Sequence, residues 1–302
     1  MDYLNITEHE HIGENTTLAD KLYDEIKVLC WVMTAPDNHK TKAQHVKLTW
    51  GKRCNKLLFM STEYDDELGS IGLNVTEGRD GLWNKTREAF TYIYENHLDE
   101  YDWFVKADDD TYFIMENLRF MLSEHRTDTP IYFGSKFQMP SVVYMSGGAG
   151  YVLSREAVKR LVEIAFKNSR ICRVGASVED VEIGVCLNAV GVIAGDTRDE
   201  EGKSRFHPLS LDNHLEPDII GHDFWLWDYS YYKFGSGLRY VSDKAVSFHY
   251  LTAAEMYICE YLIYHVKPYG IWSLPENLPE KQLTFEEELE YIRNADNDRN
   301  LE

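Results

Sequence analysis

Asp102 to Asp110 reads DWFVKADDD. Its first part, DWFVKA, is rich in aromatic and branched apolar residues, as a buried strand is. It then runs without a turn residue into three aspartates. Upstream, Trp83, Phe90, Ile93, Tyr94 and His97 recur at helical spacing and predict a helix over Leu82–His97. Before it lies a second apolar run, KLLFMS (Lys56–Ser61), followed by an acidic loop around Asp65 and Asp66. Ala43, Val46 and Trp50 mark a helix over Thr41–Trp50 that Gly51 stops. The first strand, KVLCWVMT (Lys27–Thr34), is broken by Pro36, Asp37 and Asn38. Strand, helix, strand, helix, strand implies a mostly parallel sheet with helices on its faces. The first strand–helix junction has no Gly-x-Gly-x-x-Gly, so the standard dinucleotide fingerprint is excluded.

Downstream, the pattern predicts a helix over Met115–Leu122 and a strand over Ile131–Phe137. In YMSGGAGYVLS (Tyr144–Ser154), Ser154 is a good N-cap for a helix with Val158, Leu161, Val162, Ala165 and Phe166 on one face. SVEDVEIG (Ser177–Gly184) opens a further short helix. A strand (Val190–Ala194), an aromatic stretch (Asp223–Phe234), a strand (Ala245–Tyr250) and a helix (Ala254–Val266) complete the core. Residues 1–25 read as a polar stem or unpacked arm, 26–274 as the folded domain, and 275–302 as a charged tail in which only Phe285–Asn294 has a helical pattern. With no repeat and no flexible linker, the expectation is a single α/β domain.

The chain has 302 residues, with 31 Lys and Arg against 51 Asp and Glu, a formal charge of −20. Sequence-independent binding to nucleic acid needs clustered cations, and this balance argues against it. No apolar run approaches the roughly 18–20 residues needed to span a bilayer, and the first twenty residues lack the apolar centre of a signal peptide. Alone, that points to the cytosol. Four Asn-x-Thr sequons, at Asn5, Asn15, Asn74 and Asn84, point instead to the secretory lumen. Of the five cysteines, Cys30 and Cys54 flank a strand–helix unit that could bring them together. Cys172 and Cys186 bracket the acidic motif and could close a loop. No spacing is CxxC, which argues against zinc, and five free buried thiols are the alternative.

Three adjacent carboxylates at a strand end repel one another, and a hard divalent cation relieves that repulsion. Asp108, Asp109 and Asp110 therefore read as a cation site at the strand edge where open α/β sheets bind ligands; a solvated acidic turn is the alternative. His249, in Ser-Phe-His-Tyr, fits a further metal ligand or a satisfied core residue. Glu179 and Asp180 open a helix whose dipole favours their ionised form, which suits a general base or an ordinary helix start. Gly147, Gly148 and Gly150 bring backbone N–H groups to a ligand or let strand and helix pack closely. The cluster Phe224, Trp225, Trp227, Tyr229, Tyr231 and Tyr232 fits a sugar-stacking surface or a strand with one buried face. Arg53, Arg79 and Lys85 follow strand ends and could neutralise a phosphate.

These residues together resemble the core 1 β1,3-galactosyltransferases, a branch of the β1,3-glycosyltransferases of GT-A fold. The resemblance covers about His11 to Trp272 and is carried by Val28–Ser61, DWFVKADDDTYF, YMSGGAGYVLSREAVKR, EDVEIG, AGDTRD and VSFHY. It implies a Golgi-luminal enzyme anchored through an N-terminal segment absent from this chain, often a homodimer. It also implies Mn2+, UDP-galactose as donor, and a glycoprotein bearing N-acetylgalactosamine α-linked to Ser or Thr as acceptor. By the same resemblance, Asp108, Asp110 and His249 hold the metal. Thr34, Arg53, Arg79, Lys85, Asp108, Asp109, Gly147 and Gly148 surround the nucleotide sugar. Asp180 is the inverting base, and Glu179, Trp225, Trp227 and Tyr229 receive the acceptor. One base suffices for inversion, so the paired carboxylates of glycosidases are not expected. Three features depart from the pattern: Tyr240-Val241 stands where members carry two cysteines, QMPSVV (Gln138–Val143) replaces a Lys/Gly/Gln-rich loop, and Cys259 is an extra thiol.

Overall fold

The computed structural model describes residues 15–266 and 268, except 176, 177, 218, 222 and 234. Its strands are β1 Val28–Met33, β2 Lys56–Ser61, β3 Ser70–Gly72, β4 Trp103–Asp108, β5 Tyr112–Phe113, β6 Ile131–Gly134, β7 Lys136–Met139, β8 Val142–Met145, β9 Tyr151–Ser154, β10 Ile193–Ala194, β11 Phe206–His207 and β12 Ser247–Phe248. The α-helices are α1 Thr17–Glu25, α2 Gln44–Leu48, α3 Leu82–His97, α4 Met115–Leu122, α5 Arg155–Arg160, α6 Glu179–Ala189, α7 Leu211–Leu215, α8 Leu226–Tyr229 and α9 Ala253–Tyr264.

Seven strands form the central sheet in the order β10-β6-β9-β4-β1-β2-β3. Only β9 runs against its neighbours, β4 and β6; the other pairings are parallel. The expected α/β architecture with a mostly parallel sheet is what the chain adopts. All of β1 is buried because the sheet is covered on both faces. Successive side chains of a strand point to opposite faces. Val28, Cys30 and Val32 accordingly enter one core with α2, α4 and α9, while Leu29, Trp31 and Met33 enter another with α3, α5 and α6. The same alternation in β4 sends Trp103, Val105 and Ala107 to the first core and Phe104 to the second. Lys106 and Asp108 share the Phe104 side.

Several boundaries differ from the sequence reading. The strand expected over Ile131–Phe137 breaks after Gly134, and β7 leaves the sheet to pair with β8. The segment read as one helix over Thr41–Trp50 is a wide turn over His39–Ala43, then α2, then a tight 3-10 turn over Trp50–Arg53. Val190–Ala194 shortens to β10 because Gly191 takes a left-handed turn at φ +72°. Within the expected stem, Thr17–Glu25 forms α1, which docks through Tyr23, whose ring lies 4.6 Å from the Arg119 guanidinium; Arg119 also donates to the Ile26 carbonyl. The helix expected over Phe285–Asn294 lies outside the described residues. Asn15–Tyr264 belong to one compact unit.

Both cysteine pairs are bonded, Cys30 to Cys54 and Cys172 to Cys186, and Cys259 is free and buried. The second bridge ties the loop before α6 to the middle of that helix. Replacing Cys172 and Cys186 together by Ser should lower the unfolding free energy by about 3 kcal/mol, the chain-entropy value for a loop near 15 residues, read from urea midpoints. An unchanged midpoint would show that packing alone holds α6.

Candidate active site

Asp108 ends β4, and the chain turns at once into β5, which pairs antiparallel with β12. Phe248 faces Tyr112 and Ser247 faces Phe113 in that register, so the residue after β12, His249, arrives beside the turn that carries Asp110. Tyr250 adopts a left-handed conformation, φ 56°, that returns the Leu251 N–H to the Asp110 carbonyl at 3.0 Å. For a bulky residue such a conformation costs about 1–3 kcal/mol and is kept where the surroundings enforce it.

Asp108, Asp110 and His249 form a group whose ligand atoms all lie within 4.8 Å of one another. His249 Nε2 is 3.1 Å from Asp110 and 3.8 Å from Asp108. The other ring nitrogen, Nδ1, lies 3.1 Å from the Pro208 carbonyl, which can only accept, so Nδ1 carries the proton. In neutral imidazole Nε2 then points a bare lone pair at two carboxylates. That donor set fits a divalent cation, which the lone pair and both carboxylates can share. Burial works against the charge on Asp110, while the Lys42 ammonium that donates to it at 2.9 Å favours that charge, and the carboxyl lies well below the usual aspartate range.

Asp109 faces away from this group. It accepts from Thr34 Oγ1 at 2.8 Å and Asn38 Nδ2 at 2.9 Å, and burial pushes it up to about 6 against those bonds. Lys42 Nζ stands 2.9 Å from Asp110 and 3.7 Å from Asp109, between the two. Thr34 is buried, and its carbonyl accepts from the buried ammonium of Lys85, which also pairs with Glu77 at 2.7 Å. Thr34, Lys85 and Asp109 therefore form one cluster beside Asp108. Arg53 and Arg79 do not join it. Arg53 makes two hydrogen bonds to Glu260 of α9 and lies 3.5 Å over the Tyr264 ring. It anchors α9, so the expectation that it meets a phosphate is corrected. Arg79 is exposed at the start of a 3-10 turn over Arg79–Gly81. Among the described residues no hydrogen bond or ion pair joins it to the acidic cluster.

Asp180 is linked to the metal-type group through one lysine and one glycine. Lys106, 2 % exposed, donates to Asp108 at 2.6 Å and to the Gly147 carbonyl at 3.1 Å. The N–H of Gly147 donates to Asp180 Oδ2 at 3.0 Å, and Asp180 Oδ1 accepts from the Val181 N–H at 2.9 Å. Burial raises the Asp180 carboxyl above the ordinary aspartate range, against the pull of those bonds and of Lys106. The helix-dipole expectation of an easily ionised acid is thus outweighed by desolvation. Glu179 is turned inward: it accepts from Thr86 at 2.8 Å and Tyr151 at 2.6 Å, and burial raises it as well. The glycines are required by close approach. A Cβ at Gly184 would lie 2.5 Å from that of Tyr144, so only glycine lets α6 sit against β8. A Cβ at Gly147 would lie 3.1 Å from Glu179 Oε2, and one at Gly148 would overlap the His249 ring.

The aromatic segment is not a strand; it contains the one-turn helix α8. Trp225, 43 % exposed, meets Phe137 edge-on at 6.2 Å, and Phe137 meets Tyr144 at 5.8 Å. Burial raises the Tyr144 hydroxyl, with Asp180 and then Tyr229 as the charges acting on it. Tyr229 is exposed and 6.2 Å from Trp225. Trp227 is turned in and donates its indole N–H to the Gly221 carbonyl at 2.8 Å. An aromatic wall thus leads from Asp180 to the exposed Trp225 and Tyr229. Sequence reading missed Lys106, Lys42, Pro208 and Tyr144. A lysine amid the apolar run of β4, two residues before Asp108 and so on its face, was the available signal.

Exchanging Gly148 for Ala should displace the imidazole and weaken the binding of a divalent cation to this group by roughly 10–100-fold, measured by calorimetric titration. Wild-type affinity in that variant would exclude His249 as a ligand.

A Fringe-like family profile matches residues 24–197. Glycoprotein-N-acetylgalactosamine 3-beta-galactosyltransferase 1 of Xenopus laevis is 48 % identical over 265 residues, 87 % of this chain and 73 % of that protein. Human beta-1,3-glucosyltransferase is 25 % identical over 165 residues, 53 % of this chain and 32 % of its own length. Human chondroitin sulfate synthase 3 is 26 % identical over 202 residues, 61 % of this chain and 23 % of its own. The chain spans a third or less of the last two relatives. The profile match over more than half of the chain, and the identity to the Xenopus protein, place the sheet and its acidic strand end in a known setting: this chain belongs to the Fringe-like family.

Proposed function

We propose that the protein is an Mn2+-dependent, inverting β1,3-galactosyltransferase. It moves galactose from UDP-α-galactose to the 3-hydroxyl of N-acetylgalactosamine α-linked to Ser or Thr of a glycoprotein. The observation that carries the reading is the hydrogen-bonded path Asp108–Lys106–Gly147–Asp180, which joins a cation site to a partly accessible carboxylate. The identity to a galactosyltransferase of that name supports the choice of donor and acceptor.

Asp108, Asp110 and His249 would hold the cation, which when bound supplies positive charge against the diphosphate leaving group. The chain's own residues do the rest. Thr34, Lys85, Asp109, Gly147 and Gly148 line the nucleotide-sugar side. Trp225 and Tyr229 offer exposed aromatic faces for the acceptor ring, Trp227 packs in the core behind them, and Glu179, held by Thr86 and Tyr151, stands next to Asp180. Asp180 keeps one lone pair on each oxygen beyond its bonds to Gly147 and Val181, and takes the proton of the acceptor hydroxyl. Attack opposite the leaving group converts the α-linked donor into a β-linked product. Two disulfides and the sequons support a secretory compartment, the Golgi in this reading. No helix among the described residues is long and apolar enough to cross a membrane.

Asp180→Asn should lower transfer to an N-acetylgalactosamine-Ser/Thr glycopeptide by roughly 10²–10⁴-fold, with UDP affinity unchanged. Normal transfer by that variant would remove Asp180 as the base. Because the base acts deprotonated and burial raises it, kcat/KM should fall towards acid with an inflection above the ordinary 3.8. A flat profile down to that value would contradict the assignment. If the wild type transfers no sugar to any glycopeptide yet binds UDP with Mn2+, the enzymatic reading fails and a binding role replaces it.

A further inference from the structure

Among the described residues the sequon asparagines take no part in the site, and the structure separates their sequons into two kinds. Asn74-Val75-Thr76 lies in the loop between β3 and the 3-10 turn at Arg79. Leu73 is buried and Val75 packs against the second core, which turns Asn74 and Thr76 outward, both exposed. Asn15-Thr16-Thr17 precedes and starts α1, with all three residues exposed; Asn15 Oδ1 accepts the Thr17 N–H. Asn84-Lys85-Thr86 is different. It sits in the first turn of α3, where residues i and i+2 do not share a face. Thr86 is fully buried and gives its hydroxyl to Glu179, and Lys85 is buried against Thr34 and Glu77. Thr86 and Lys85 are explained by the site they support, and the asparagine before them is half-buried. Asn5 lies outside the described residues.

We infer that Asn74 and Asn15 are sites of N-linked glycosylation and that Asn84 is a silent sequon. The modification joins the anomeric carbon of an oligosaccharide to the side-chain nitrogen of the asparagine. It breaks that carbon's bond to a lipid diphosphate, and the amide nitrogen gives up one proton. An acceptor asparagine belongs on a surface loop of a secreted chain, and its hydroxyl partner must be reachable with it. Asn74 and Asn15 meet both conditions in the folded protein. Asn84 meets neither once α3 has formed, because the Thr86 hydroxyl is committed to Glu179. The two disulfides are an independent sign of the compartment in which this chemistry occurs. The inference does not depend on which sugar the protein transfers.

The test is secretion of the full chain from a eukaryotic cell behind a cleavable leader, followed by peptide N-glycosidase release in heavy-oxygen water and peptide mass spectrometry. The expected result is the heavy-oxygen aspartate label at Asn74 and Asn15 and none at Asn84. In parallel, Asn74→Gln and Asn15→Gln should each remove one glycan step on a gel, and Asn84→Gln should leave mobility unchanged. A label at Asn84, or its absence at either Asn74 or Asn15, overturns the inference.

Discussion

A buried ammonium is the constraint around which the site is arranged. Lys106 stands on a central strand with almost no solvent contact, and a charge in that position is tolerable only with close partners. It has them in Asp108 and the Gly147 carbonyl, with Glu179 and Asp180 as further negative charges. Burial alone would lower its affinity for the proton; the surrounding carboxylates outweigh that and raise it. The lysine therefore stays charged and fixes three segments at once: the end of β4, the glycine run, and the start of α6.

The remaining architecture brings those segments within reach. The β5–β12 pairing carries His249 to Asp110, and the left-handed turn at Tyr250 closes that register. Gly184 lets α6 lie against β8, and the Cys172–Cys186 bridge holds the same helix from its other side. Arg53, half-buried between Glu260 and Tyr264, ties α9 to the region after α2. Binding chemistry thus sits on short, strained or glycine-lined connections, while the sheet beneath supplies rigidity.

What the sequence showed depended on range. Runs such as Leu82–His97 and Met115–Leu122 match their helices to the residue, since one amphipathic period decides them. Both disulfides and the Asp108–Asp110–His249 grouping were legible, the latter because like charges at a strand end call for a counter-ion. Arg53 was misplaced because a basic residue after a strand looks the same whether it meets a phosphate or Glu260 from 207 residues away. Trp225, Trp227 and Tyr229 alternate like a strand, yet the chain turns there into α8 and faces the three rings in different directions. Lys106 offered a local sign in its place two residues before Asp108, but its bond to Gly147 and that of Pro208 to His249 each span 41 residues, which no local pattern records.

Titrating UDP into the protein calorimetrically, once with Mn2+ and once with EDTA, addresses the acidic strand end directly. Saturable binding with Mn2+ that weakens by about 1.4 kcal/mol or more in EDTA, roughly tenfold, is the outcome that a cation shared by Asp108, Asp110 and His249 requires. Equal UDP affinity in both buffers would mean that the carboxylates meet no cation in grasping the nucleotide, and the account of this site would be wrong.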